Sequence, residues 1–236
     1  MISKKSFKDK KMPDTHTDIS NQKIVKRLQQ TYKSLKTLGI KKFISDAVYF
    51  KQEPILLIKD LTTRSPFENK NSLEVIPVNN DEKFNLINFY DESEAFIFNS
   101  KDLVRSHFED NCQCFIAKKQ NIIIGFLWWA DINSPFNSCS PVIRHIRYNV
   151  GMTGQDALGI DFFVLPEERG NATALEFYSK ACKQLYDRGY TRLYGMVLPE
   201  NRAARWTYNV LGLTETKKIS AHRILLFKTL FRIRDI

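Results

Sequence analysis

Between Val164 and Tyr178 the chain reads VLPEERGNATALEFY, joining an apolar, strand-like run to a helical pattern through a turn of charged and small residues. The first turn of a helix leaves backbone N–H groups without partners and carries the positive end of the helix dipole, so it attracts phosphate wherever the backbone can be approached. Gly170, Ala172 and Ala174 keep that approach open, and Arg169 adds a positive charge beside it. The stretch has the physical properties of a diphosphate cradle, although small residues at such a junction also serve plain packing. Further on, Asn201 stands immediately before another helical pattern, where its side chain suits an N-cap.

Other chemistry-bearing residues are scattered. Asp161 lies on the strand leading into the turn, and His145 sits in the segment RHIRY. His16, His107 and His222 show no metal-ligand spacing. Cys112 and Cys114 lie too close along one strand to bridge easily, and with Cys139 and Cys182 they form neither a C-x-x-C pair nor a zinc spacing. The expectation is four reduced thiols in a cytoplasmic protein, with no metal.

The elements that must position these residues follow from periodicity. Residues 1–20 are polar and Lys-rich, so disorder is expected. Ile24, Leu28, Tyr32, Leu35 and Leu38 predict an amphipathic helix over 21–39, and a shorter helical pattern covers 40–50. Strands are expected over 54–58 and 73–78, and helices over 81–91 and 101–109. A hairpin follows: 112–118, a turn over 119–121, and 122–130. Alternation along its second strand sends Trp128 and Trp129 to opposite faces, one into the core and the other to the border of a pocket.

Residues 131–149 contain Pro135, Pro141 and several Ser and Asn, so they read as loop, with a strand edge over 142–150 as the alternative. The remainder alternates. A strand over 158–165 is followed by a helix over 170–187 stopped by Gly189, a strand over 192–198, and a helix over 202–211 stopped by Gly212. Two more strands, 213–218 and 222–230, close the pattern. Leu175, Tyr178, Cys182 and Leu185 form the buried stripe of the longer helix. This order describes a mixed α/β sheet with helices on its faces.

Length and composition fit that picture. The 236 residues are 43% apolar, enough for a proper core. The formal net charge is +10, but residues 1–50 carry twelve Lys or Arg against four Asp and hold +8 of it. The basicity belongs to the N-terminal extension, so the body does not read as a nucleic-acid binder. No apolar h-region follows the N-terminal lysines, and the longest apolar run, 122–130, falls well short of the ~20 residues a spanning helix needs.

Two motifs together resemble those of the GNAT superfamily of N-acetyltransferases. That family's cofactor loop follows Gln/Arg-x-x-Gly-x-Gly/Ala; Arg169 matches the first position, Ala172 stands where Gly is usual, and Ala174 fits the last. Asn201, Ala204, Tyr208 and Gly212 match the spacing of its Asn-x-x-Ala-x-x-x-Tyr-x-x-x-Gly. The likeness covers roughly 81–230, is strongest over 158–213, and leaves out residues 1–50. It implies an α/β (α+β) fold with a mixed, mostly antiparallel central sheet flanked by helices, preceded here by an N-terminal helical extension.

The resemblance also implies a chemistry. Acetyl-CoA would be the acyl donor, with its pyrophosphate on the backbone N–H groups of Arg169, Gly170, Asn171, Ala172, Thr173 and Ala174. Its pantetheine arm would run along the strand ending at Val164, between splayed strands over 158–164 and 192–197. A backbone N–H near Phe163 or Val164 would take the developing oxyanion, Tyr208 would protonate the departing thiolate, and Asn201 would touch the pantetheine or the substrate. Asp161, acting through water, is the first candidate base and His145 the second. The acceptor would be an amine on a small molecule or protein, and the chain a monomer or homodimer. Two alternatives stand beside this: transfer of a longer acyl chain from acyl-CoA or acyl carrier protein, and a non-catalytic binding module. In the latter, the basic extension would hold nucleic acid, an anionic membrane surface or an acidic partner.

Overall fold

The computed structural model describes residues 49–65, 67–68, 72–92, 101–137, 139, 141–169, 172–224 and 230–236. The expected tail over 1–20 and helix over 21–39 lie outside these residues. So does the helical pattern over 40–50, except that its last two residues, Tyr49 and Phe50, open a strand instead. By its contacts the chain divides into two units, Met1–Phe50 with Ile224–Phe227 and Lys51–Arg223 with Lys228–Ile236. The second unit carries the elements described below, apart from the strand-end residues Tyr49, Phe50 and Ile224. Among the described residues, no helix is long and apolar enough to cross a membrane.

The strands are β1 (Tyr49–Gln52), β2 (Ile55–Asp60), β3 (Glu74–Pro77), β4 (Gln113–Lys119), β5 (Ile122–Ala130), β6 (Asp156–Val164), β7 (Arg192–Val197), β8 (Thr214–Ile224) and β9 (Leu230–Asp235). They form one sheet in the order β1-β8-β2-β7-β6-β5-β4-β3, with β9 paired to β8. The pairings are antiparallel from β8 to β2, β2 to β7 and β6 through β5 and β4 to β3, while β6 and β7 run parallel. This is the mixed, mostly antiparallel sheet that the motifs imply. The β4–β5 hairpin turns on Gln120 and Asn121, whose positive φ values of 52° and 64° match the twist of the strands they join.

Helices cover both faces. α1 (Asn80–Glu92), α2 (Lys101–Glu109) and α3 (Pro141–Asn149) pack one face, with Leu86, Tyr90, Val104, Val142 and Ile146 set against Trp128, Phe126 and Leu158. α4 (Thr173–Asp187) and α5 (Arg202–Val210) pack the other, and the stripe Leu175, Tyr178, Cys182 and Leu185 is buried as expected. β5 lies between the two layers, which explains its almost unbroken run of buried apolar residues.

Three sequence readings need correction. Residues 141–149 are a helix: Pro141 starts it, and Val142, Ile143 and Ile146 fall on one buried face, a helical spacing that the surrounding Ser, Asn and Pro obscured. The expected strand over 213–218 runs on to Ile224 as β8, taking in the first residues of the one expected over 222–230, because Ile219 and Ala221 continue the ladder opposite Ile233 and Phe231; residues 225–229 lie outside the described residues and Leu230 opens β9. Finally, Trp128 and Trp129 do face opposite ways, but both are core, one in each layer, and neither lines the cavity described below.

Candidate active site

β6 and β7 stay joined only over Asp156–Leu158 opposite Arg192–Tyr194. Beyond that point β6 remains paired to β5 and β7 to β2, so the two parallel strands splay and their facing edges are left open. A bulge sharpens the divergence. Trp128 pairs with Asp161 and Trp129 with Gly159, leaving Ile160 as an extra residue that bends β6. A cavity of about 650 Å³ fills the opening, lined by Gly159 to Val164 of β6, Gly195 to Val197 of β7, and Ala204, Thr207 and Tyr208 of α5.

The register decides which backbone groups face this cavity. Leu165 N–H donates to Ile124 O at 2.9 Å, making these two a hydrogen-bonded pair of the β5–β6 ladder. Alternation then turns the Phe163 N–H toward β5 and the Val164 N–H and C=O toward the opening. Arg169 Nε donates to the Val164 carbonyl at 2.9 Å, so the Val164 N–H is the inward-facing donor of this residue. Phe163 instead contributes its ring, stacked on Phe126 at 5.4 Å and under the Arg169 guanidinium at 5.7 Å, which fixes where that charge lies.

The cradle lies at one end of the opening. After β6 the chain makes a single 3₁₀ turn, Pro166–Glu168, and enters α4 at Thr173 through Ala172. No side chain caps α4, and the first intrahelical acceptor in use is Ala172 O, which receives the N–H of Glu176. The N–H groups of its first turn are therefore available to an anion, with Arg169 and Ala174 on the cavity wall. Gly170 and Asn171 lie outside the described residues. Ala172 has φ 64° and ψ 18°, the left-handed conformation that costs a residue with a Cβ about 1–2 kcal/mol. Here is the physical reason Gly is usual at this position. Ala172→Gly is expected to raise stability by about 1 kcal/mol, or roughly 2–4 °C in melting temperature, in a thermal unfolding comparison with the parent.

The other end of the opening is built by α5. Asn201 is its N-cap, with Oδ1 accepting from Ala204 N–H at 3.1 Å, and the residue also lines the cavity. At the C-terminus, Gly212 (φ 77°) closes the helix by donating to Asn209 O at 3.0 Å while Leu213 N–H donates to Tyr208 O at 2.9 Å. Lys59, buried on β2, reaches the Leu211 carbonyl with Nζ at 2.7 Å and so ties this helix end to the sheet. The result is a fixed Tyr208, half-buried, with its ring edge-on to buried Tyr178 at 5.6 Å. Burial pushes the Tyr208 phenol well above its ordinary range, and the charge of Asp161 adds to the rise. Asp161 on β6 and Tyr208 on α5 thus line the same cavity, and the Asp161 charge bears on the Tyr208 phenol.

Of the residues singled out by sequence, Asp161, Phe163, Val164, Arg169, Ala174, Asn201 and Tyr208 meet in this one cavity, and Ala172 and Thr173 stand at its cradle end. His145 does not. It lies on α3, stacked on Phe231 at 3.9 Å, away from the lining, and burial lowers its pKa. Sequence reasoning gave Tyr178 only to the buried stripe, yet it also walls the cavity beneath Tyr208. Trp206, 63% exposed and on the lining, was legible only as one more apolar helix residue.

A splayed parallel pair, a bulged central strand and a helix that no side chain caps thus meet around one open cavity. The chain belongs to the Acetyltransferase (GNAT) family, whose sequence model matches residues 78–213, more than half of its length. No curated protein matches the chain in sequence. Solved structures match its fold. A GCN5-related N-acetyltransferase from Sphaerobacter thermophilus does so at TM-score 0.53 and 11% identity, over 84% of this chain and 56% of that one. The GCN5-related glucosamine N-acetyltransferase region of a fungal multi-domain GH3 beta-N-acetylglucosaminidase gives 0.54 and 16%, over 80% of this chain and 23% of that one. A functionally unknown conserved protein from Staphylococcus epidermidis gives 0.52 and 10%, over 89% and 80%. Three further matches are spanned to 57%, 65% and 62% of their length, so the chain corresponds to less than two thirds of five of these six proteins. At such identities the likeness is one of fold.

Proposed function

We propose that the protein transfers an acetyl group from acetyl-CoA to an amine by direct attack within a ternary complex. The observation that supports this reading is the opening between β6 and β7, with free helix N–H groups at one end and the Asp161–Tyr208 pair at the other. The α4 N-terminus and Arg169 suit a diphosphate, and the outward edges of β6 and β7 suit an amide-bearing arm. A neutral amine attacks the thioester carbonyl; the Val164 N–H stabilises the oxygen as it gains charge. As the carbon–sulfur bond breaks, the Tyr208 hydroxyl donates its proton to the sulfur, and the proton lost by the amine passes to Asp161 through water. Asn201 orients the ligand while capping α5.

Thermal unfolding with and without acetyl-CoA, with free CoA as comparison, tests the cradle. At ~100 times the dissociation constant the ligand should stabilise the fold by about 2.7 kcal/mol, a shift of roughly 5–10 °C. An unchanged transition at saturating acetyl-CoA would remove the proposal. Screening amines by release of CoA thiol then identifies the acceptor class.

A further inference from the structure

A second cluster of reactive side chains lies on the opposite face of the sheet, outside the acyl-transfer cavity. α2 ends in a left-handed closure at Asn111 (φ 55°): Asn111 N–H donates to Phe108 O at 3.1 Å and Cys112 N–H to His107 O at 2.9 Å. This closure folds the residue two past the cap, Asp110, back over the one three before it, so backbone geometry brings Cys112 and His107 together. Cys139 arrives from the chain between β5 and α3. That segment is itself tied to the end of α2 by Ser134 Oγ, which donates to Asp110 O at 2.6 Å and lies 3.6 Å from Cys112 Sγ. The donor atoms of His107, Cys112 and Cys139 all lie within 4.8 Å of one another, and all three residues are buried.

We propose that His107, Cys112 and Cys139 bind one zinc ion. Around a tetrahedral zinc with bonds of about 2.3 Å to sulfur and 2.0 Å to nitrogen, ligand atoms stand about 3.5–3.8 Å apart, a spacing within reach of side-chain adjustment here. Two thiolates and a neutral imidazole give zinc a neutral shell, which suits a site packed under Trp128, whose ring centroid is 4.9 Å from that of His107. A soft monovalent ion such as copper(I) would leave a buried negative charge. These three side chains leave the fourth position of the tetrahedron to a water molecule. The ion would clamp the β5–α3 segment to the end of α2, a structural role with no part in acyl transfer. The spacing His-x4-Cys with a third ligand far along the chain matches no familiar metal pattern, which is why the sequence alone pointed to no metal.

The test uses the full chain, expressed with zinc and exchanged into metal-free buffer with a thiol-free reductant. Elemental analysis should give about one zinc per chain. Cys139→Ala should lose it while still unfolding cooperatively, and Cys182→Ala, a buried cysteine outside the cluster, should keep it. Cobalt(II) exchanged into the site should show a thiolate-to-metal absorption band that Cys139→Ala abolishes. A parent protein without retained zinc, equal retention in Cys139→Ala, or preferential retention of copper(I) overturns the assignment. Acetyl-CoA binding is read separately, so failure here leaves the acyl-transfer reading standing.

Discussion

Tyr208→Phe is expected to lower kcat about a hundredfold or more while leaving acetyl-CoA affinity close to that of the parent. General acid catalysis by one positioned side chain typically contributes 10²–10⁴-fold. The substitution removes one oxygen and keeps the ring that packs edge-on to Tyr178, so the cavity wall should survive. An unperturbed phenol of pKa ~10 gives its proton to a thiolate of ~8.5 at a cost of about 2 kcal/mol. Burial and the Asp161 charge raise the phenol further and enlarge that cost. The same shift keeps Tyr208 protonated across the working pH range, so the hydroxyl is always ready to donate. Sulfur acquires charge progressively as the bond breaks, and a hydrogen bond that strengthens with that charge supplies part of the effect before transfer is complete. The alkaline limb of the rate profile should therefore not report Tyr208 below ~10. Single-turnover kinetics on Tyr208→Phe, beside a thermal-shift titration with acetyl-CoA, separate the acid role from a packing role. Equal turnover in the two proteins would assign Tyr208 to the wall alone.

What could be read from the sequence was local chemistry carried by neighbours along the chain. Ala172 and Ala174 after β6, the Asn201 cap and the Gly212 stop each express a constraint inside one turn, and each lies where expected. The mixed α/β class followed from the order of strand and helix periods along the chain, and its mostly antiparallel sheet from the resemblance of the two motifs. What escaped were consequences of contacts between distant segments. Nothing in the sequence placed Ile160 as the extra residue of β6, since a bulge is defined by the partner strand. That extra residue sets which N–H groups of β6 enter the cavity. Cys112 and Cys139 come together only where Ser134, after β5, is tied to the end of α2. The helix α3 was hidden by its setting, because Pro141 begins it and polar residues surround its short apolar face. Trp129 illustrates a related limit: alternation assigned it a side of the sheet, but whether that side was core or cavity depended on α4.

Asp156→Ala is expected to destabilise the protein by about 3 kcal/mol, a loss of roughly 6–12 °C in melting temperature. Asp156 is fully buried at the base of the splayed pair, where β6 and β7 last touch. Its carboxylate accepts from Arg192 Nε at 2.7 Å and Nη2 at 2.8 Å, and from Thr153 N–H at 2.6 Å and Oγ1 at 2.9 Å. Truncation strands the Thr153 N–H and opens a gap, whereas the half-exposed Arg192 can turn to water, which holds the cost at the low end of the range for broken buried pairs. Burial alone would raise the Asp156 carboxyl, but hydrogen bonds from Arg192 and Thr153 outweigh it and hold the group below its ordinary value. A depressed folded-state value means the contribution is complete above the unfolded value of ~3.9 and is lost as pH falls through the folded one. The gap between parent and variant should accordingly be constant from neutral pH down to ~5 and close in stronger acid. Denaturant unfolding at several pH values measures it. A gap that persists unchanged in acid would mean that volume, not the ion pair, holds β6 to β7, and that the opening between them is set by packing around Leu158 and Tyr194 instead.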